Sequence, residues 1–483
     1  MVKDDATIVD IRHDVLYEVA KLAWEGLLEE KKEDLPYQMI PGPRANFRCC
    51  IYREREIIRQ RVRLARGLAP SGHDTRNIVQ VIQAACEDCP ISRFTVTDNC
   101  QSCLRRSCMK ACHFGAISVT SGKAFIDKDK CKECGMCAKS CPYNAIADLV
   151  RPCKKHCPVD AIVMDENGIC VIDEEKCIQC GQCVNSCPFG AIDTKAFMVD
   201  VINLINEGKR VVAMVAPAAE GQFGKEITMD SWRTALKKVG FADMIEVSLG
   251  GDLTAAAEAA EWAEAYKQGI KKTTSCCPAF VNMIKLHFPE LLENMSTTAS
   301  PMVGVSRLIK EQDPRSVTVF IGPCIAKKSE TLDLNIKGNA DYALTFDEAI
   351  ELMHGKDVAL EPQPITSQQG STFGKRFGNS AGVTAAVLEC LKETNENADI
   401  KVNVCSGAVE CKRALQMLKG GRLPEDFIEG MACEGGCVGG PSSNKPIMLF
   451  KRDRDTLIGQ ADDRGVHQNL EMQGANQVKM HRS

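Results

Sequence analysis

Two twelve-residue stretches, CKECGMCAKSCP (131–142) and CIQCGQCVNSCP (177–188), share the spacing C-x2-C-x2-C-x3-C-P. Three thiolates at this spacing wrap one corner of a 4Fe–4S cube, and the fourth, before proline, serves the other cube of a pair. So long a pattern is rare by chance, and its double occurrence commits this part of the chain to fold around clusters. Of the 27 cysteines in 483 residues, 17 lie between Cys86 and Cys187. A disulfide framework belongs to small secreted chains, and the charged opening MVKDDATIVD has no apolar export core. Structural zinc sites use C-x-x-C pairs separated by longer gaps, which these runs are not.

Two looser runs accompany the regular ones. CQSCLRRSCMKACHF (100–114) carries His113 where proline is usual, and RPCKKHCP (151–158) keeps only the last two cysteines of a run, with Ala147 and Val150 in the first two slots. Cross-pairing then groups the thiols. Cys100, Cys103, Cys108 and Cys141 form one set, Cys131, Cys134, Cys137 and Cys112 a second, and Cys177, Cys180, Cys183 and Cys157 a third. Cys153 and Cys187 are left in ligand slots, and ACEDCP (85–90) supplies a stray C-x-x-C. A fourth cube from Cys86, Cys89, Cys153 and Cys187 is therefore expected, omitting only Cys170. Three cubes with unused thiols is the alternative.

Charge is nearly balanced, 60 basic against 64 acidic residues, which gives no sign of nucleic-acid binding. No apolar run reaches the length of a membrane span, so a soluble cytoplasmic protein is expected. The chain reads as a multidomain α/β protein. A helical N-terminal region is expected over 1–85, ferredoxin-like α+β 4Fe–4S modules over 86–145 and 146–195, an α/β domain over 205–458, and a flexible Gln/Asn-rich tail over 459–483. Helices are expected over 8–31, 52–67 and 255–269, and buried strands at VVAMVAP (211–217) and SVTVFIGPC (316–324). The arginine-rich 52–67 stretch reads as a solvated helix face or as a dock for an acidic electron carrier. The adjacent pair Cys49 and Cys50 reads as buried or incidental thiols.

Beyond residue 205, TSCCPAF (274–280), GPCIAKKSE (322–330) and MACEGGCVGGP (431–441) resemble, in order, the three signature segments of the FeFe-hydrogenases. The resemblance covers about residues 205–455, and Phe280 with the FRCCIYRER segment is most similar to the group B branch. It implies an iron hydrogenase catalytic domain holding an H-cluster, a 4Fe–4S cube joined to a two-iron subcluster with CO, cyanide and an azadithiolate. Cys277, Cys324, Cys433 and Cys437 would hold the cube, and Cys437 would bridge to the two irons. Cys276 would pass a proton to the bridging amine and Lys327 would donate to a cyanide. Ala216, Pro217, Met431 and Phe377 would line the cavity, and Glu258, Glu261 and Ser296 would relay protons. Gly322, Met302, Ala299 and Phe280 stand where the best-known members carry methionine, glutamine, lysine and tryptophan.

The implied activity is reversible interconversion of dihydrogen with protons and electrons, in anaerobic hydrogen metabolism. Its implied partners are a ferredoxin or similar low-potential carrier and the hydrogenase maturation proteins. A hydrogen sensor, or a non-catalytic iron–sulfur scaffold or assembly protein, are the competing readings. Cys405 and Cys411 lie outside the motifs and read as core thiols.

Overall fold

The computed structural model describes residues 6–48, 50–72, 76–86, 89, 92–120, 122–396 and 399–482. Cys49 lies outside them; Cys50 is half-buried and stands at the N-cap of the helix Ile51–Ala65. The first helix, Ile8–Trp24, is closed by a capping box in which Thr7 accepts from the Asp10 amide and Asp10 accepts from that of Thr7. Its buried stripe of Ile11, Val15, Val19, Leu22 and Ala23 packs into the core of the C-terminal domain.

The helix Ile51–Ala65 is neither a solvated face nor a free basic strip. Arg61 is buried and donates to Asp193 (2.7 Å) and the Gly190 carbonyl (2.7 Å), while Arg12 reaches the same Asp193 at 3.0 Å. Arg53, Arg55 and Arg63 donate to the carbonyls of Ala84, Ile40 and Ala69. The guanidinium groups satisfy loop carbonyls and tie the cap to the cysteine-rich region. Glu54, fully buried, accepts from the amides of Asn46, Phe47 and Arg48.

Strand pairing redraws two of the expected boundaries. Phe94–Val96 pairs antiparallel with Ile146–Asp148, so the first module closes only at residue 148. Val79–Val81 pairs antiparallel with Ile192–Thr194, so this strand belongs to the second module and not to the cap. The first module, which also contains the hairpin Ile117–Thr120/Lys123–Ile126, is thus inserted within the second, whose own hairpin is Ile162–Met164/Cys170–Ile172. Composition could not reveal this, because strands of three residues carry almost no periodic signal.

The C-terminal domain is α/β with two parallel sheets. One runs in the order Asp243–Glu246, Val211–Val215, Val317–Ile321, Tyr342–Leu344; the other is Lys272–Thr273, Phe427–Met431, Val402–Ser406. Val211–Val215 and Phe427–Met431 are buried at all five positions, as parallel strands covered on both faces must be. The helix Val247–Lys267 is packed on most of its circumference, against Pro301–Gln312, Gly382–Glu393 and Thr372–Arg376 among others.

The expectation of a flexible tail is corrected. Val466–Met472 is a helix whose buried Asn469 donates to Asp252 (2.7 Å) and the Gln369 carbonyl (2.9 Å). Residues 475–482 then run back across the domain. Polar composition concealed this because the apolar anchors, Val466, Leu470, Ala475 and Met480, are few and spaced among polar residues. Among the described residues no helix is long and apolar enough to cross a membrane.

Candidate metal centres and the cavity between the sheets

The C-terminal ends of both parallel sheets converge on one cavity, where open α/β folds place their ligands. Ala216 and Pro217 follow the strand Val211–Val215, Cys324 follows Val317–Ile321, Cys276 and Cys277 follow Lys272–Thr273, and Cys433 follows Phe427–Met431. Cys437 is set by a tight turn: Gly435 and Gly436 have φ of 77° and 88°, and a Cβ on Gly436 would lie 2.5 Å from the Gly378 carbonyl oxygen. The cavity, about 80 Å³, is lined by Cys276, Cys277, Cys324, Cys433, Cys437, Lys327, Met431, Phe377, Ala216 and Pro217. Every residue expected around the two-iron subcluster is brought there.

The described cysteines are unbridged, and among the described residues no three Cys, His, Asp or Glu side chains converge tightly enough to hold a single metal ion. The thiols instead face one another across small cavities, as ligands to separate corners of a cube do. Cys100, Cys103, Cys108 and Cys141 line one such cavity, and Cys112, Cys131, Cys134 and Cys137 line another. Cys157, Cys177, Cys180 and Cys183 form a third group; burial, then mutual repulsion with Cys177 and Cys157, pushes the Cys180 thiol up to about 12. Burial, then repulsion by Cys180, raises Cys183; burial, then repulsion by Cys324 and Cys277, raises Cys433; and burial with the charge of Cys277 raises Cys437 to about 11. Buried sulfurs that repel each other as thiolates form a donor set that cationic iron would stabilise, so the residues fit clusters.

A repeated bond supports these groups. In CHFGA, CPYNA, CPVDA and CPFGA the amide four residues on donates to the cysteine sulfur: Ala116 to Cys112 (3.4 Å), Ala145 to Cys141 (3.4 Å), Ala161 to Cys157 (3.2 Å) and Ala191 to Cys187 (3.3 Å). Such bonds to ligand sulfurs tune cluster potentials. Cys86 and Cys89 lie close enough to Cys153 and Cys187 for mutual repulsion, which adds to burial in raising both thiols. The strand Val79–Val81 delivers them there. Cys170, left out of the sequence grouping, also sits at this place: its amide donates to Cys86 (3.3 Å) and its thiol bonds Cys153.

Beside the cavity, Lys327 is buried, pairs with Glu330 at 2.5 Å and donates to the Cys276 carbonyl at 3.4 Å. Burial, then the charge of Glu258, raises the Cys276 thiol. Glu258 is fully buried, accepts from the Ser275 amide (3.4 Å), and is pushed up to about 8, chiefly by burial. Ser296 lies near Glu258, whose Oε2 is buried without a hydrogen-bond partner, and donates to Glu261 at 2.6 Å. Glu261 pairs with Lys272 (3.2 Å) and borders an open cavity of about 700 Å³.

Sequence reasoning missed Glu429. It is fully buried, accepts from the amide (2.8 Å) and hydroxyl (2.6 Å) of Thr384, and lies within electrostatic reach of Glu258, Cys276 and Cys437. Strand alternation with Met431 was the available signal. The departures at Gly322 and Phe280 also have local causes. A Cβ on Gly322 would meet the Phe320 ring at 2.7 Å, so Phe320 takes the space beside the cavity; Phe280 packs against Gly430, where a Cβ would lie 2.2 Å from its ring. Cys405 and Cys411 are buried free thiols close to each other, and with burial their proximity raises Cys411.

The interlocked cysteine modules and the α/β domain define a multi-cluster iron–sulfur protein. Residues 209–441 match the family described as the iron only hydrogenase large subunit, C-terminal domain, and residues 124–147 and 170–193 match the 4Fe-4S binding domain. The chain is 30% identical over 345 residues to the periplasmic Fe hydrogenase large subunit of Nitratidesulfovibrio vulgaris, covering 59% of this chain and 80% of that one. It is 30% identical over 378 residues to iron hydrogenase 1 of Clostridium pasteurianum, covering 67% and 65%. Cytosolic iron-sulfur assembly component 3 of Rattus norvegicus is 23% identical over 291 residues, covering 48% and 61%. A solved FeFe-hydrogenase from Chlamydomonas reinhardtii aligns with a TM-score of 0.45 at 20% identity, covering 54% of this chain and 87% of that one. The chain belongs to the iron hydrogenase family.

Proposed function

We propose that this chain is a working FeFe-hydrogenase that interconverts H2 with two protons and two electrons, exchanging the electrons with ferredoxin or a similar low-potential carrier in the cytoplasm. The observation that carries the reading is the succession Cys276, buried Glu258, Ser296 and Glu261, the last two hydrogen-bonded at 2.6 Å, which leads from the thiol-lined cavity toward an open one. A scaffold that only held cubes would have no use for buried proton carriers there.

An H-cluster, installed by maturation proteins, would supply the two-iron centre at which dihydrogen is cleaved or formed. Cys277, Cys324, Cys433 and Cys437 would hold its cube. Lys327 presents an ammonium to the cavity, where a charge-assisted hydrogen bond to cyanide is worth about 1.5–3 kcal/mol. Cys276 carries the proton at Sγ, and Glu258, whose pKa of about 8 lets it load and unload near neutrality, carries it onward. Electrons would leave through four ferredoxin-type cubes, including one on Cys86, Cys89, Cys153 and Cys187. Cys180 lies within electrostatic reach of both Cys157 and Cys277, so a cube held by Cys180 would be the neighbour of one held by Cys277.

The competing reading, an iron–sulfur assembly scaffold, follows from the relatives of that kind. Infrared spectroscopy of matured protein decides between them. Bands of iron-bound CO and cyanide, with gas evolution from a low-potential dye, are expected; their absence would end the hydrogenase reading.

A further inference from the structure

We propose that Arg482 is a positioning residue that clamps the inner end of this proton file and the Lys327–Glu330 pair, an inference that rests on the hydrogenase reading. Residues 480–482 lie as a short strand-like stretch along residues 297–299, paired through one bridge. The Ala299 amide donates to the Met480 carbonyl (2.6 Å), the Arg482 amide donates to the Thr297 carbonyl (2.7 Å), and Thr298 and His481 pair antiparallel between them. Arg307 fixes the strand from outside by donating to the carbonyls of Lys479 and His481.

The strand delivers one cation to the interior. The Arg482 guanidinium donates to the Ser275 carbonyl at 3.0 Å and to Glu330 Oε1 at 3.3 Å. Ser275 adjoins Cys276, its amide donates to Glu258, and its hydroxyl donates to the Thr298 carbonyl at 2.6 Å. Glu330, buried, holds Lys327 and Ser300 through its other oxygen. Arg482 thus grips the neighbours of both Cys276 and Lys327 while lining no part of the cavity itself. It also divides the charge of Glu330 between two cations. With Arg482 absent, Glu330 would draw the Lys327 ammonium toward itself and away from the cavity.

The test compares Arg482→Gln and Arg482→Lys with the unaltered full chain, all matured alike. In Arg482→Gln the infrared cyanide bands are expected to shift and turnover to fall about tenfold, with KM for H2 unchanged. Arg482→Lys should recover both. Unshifted bands, or a loss that lysine does not relieve, would overturn the clamp. Should the unaltered chain show no CO or cyanide bands, the hydrogenase reading fails instead. The clamp is then judged by amide exchange in cube-loaded protein without the two-iron subcluster. There the Ala299 amide should exchange at least tenfold faster in Arg482→Gln, and unchanged exchange would refute it.

Discussion

Cys276 and Cys277 are adjacent in sequence and stand in different surroundings. Cys277 faces Cys324, Cys433 and Cys437, whereas Cys276 faces Glu258. Replacing Cys276 by alanine should leave the infrared bands in place and lower turnover by more than about 100-fold, the usual worth of a positioned proton carrier. Unchanged turnover would remove Cys276 from the path. Glu258 makes a second prediction, on stability. Its folded pKa of about 8 stands above the ordinary 4.5, so the folded chain keeps this proton longer than the unfolded one. The neutral form is the one the fold prefers, and stability is lost as pH rises from 4.5 toward about 8. Glu258→Gln should therefore flatten the fall in thermal midpoint over that range, while turnover drops because the amide carries no proton.

At the scale of elements, the strand Phe427–Met431 meets the helix Pro278–His287 through the Phe280–Gly430 contact. Gly430→Ala forces a methyl into the Phe280 ring, an overpacking cost of about 1–3 kcal/mol. Phe280→Leu should recover part of it, and a double-mutant cycle on thermal unfolding measures the coupling; additive effects would show that the contact is relieved elsewhere. The thiol groups are legible in the sequence because their spacing is local, and so are the strands Val211–Val215 and Val317–Ile321, which are continuous apolar runs. Glu429 is legible only through its two-residue alternation with Met431 on one strand, and Arg482 is not legible at all. Each acts through partners far along the chain, and an arginine in a polar tail shows nothing of its destination. The strand Val79–Val81 is illegible because three residues are too few to carry a periodic signal.

For the whole molecule, the insertion of one module in another explains how a C-x-x-C before the first module reaches Cys153 and Cys187 beyond it. Cys86→Ser with Cys89→Ser should therefore remove about four irons per chain and leave the other clusters and the CO and cyanide bands intact. An unchanged iron content would return the count to three ferredoxin-type cubes.

The same insertion makes the first module a loop whose two ends meet, since Phe94 stands opposite Asp148 in the ladder. Closing a loop costs entropy that grows only with the logarithm of its length, so shortening such a loop changes stability little. Replacing residues 92–148 by a few glycines should leave the strand pair Val79–Val81/Ile192–Thr194 and the remaining clusters assembled, with gas evolution retained from a small dye and lost from ferredoxin. Collapse of the remaining cluster content would show that the module is needed for folding. Under the proposed function, residues 92–148 would be an exchangeable cartridge, one that can be swapped for another carrier's domain without rethreading the rest of the chain.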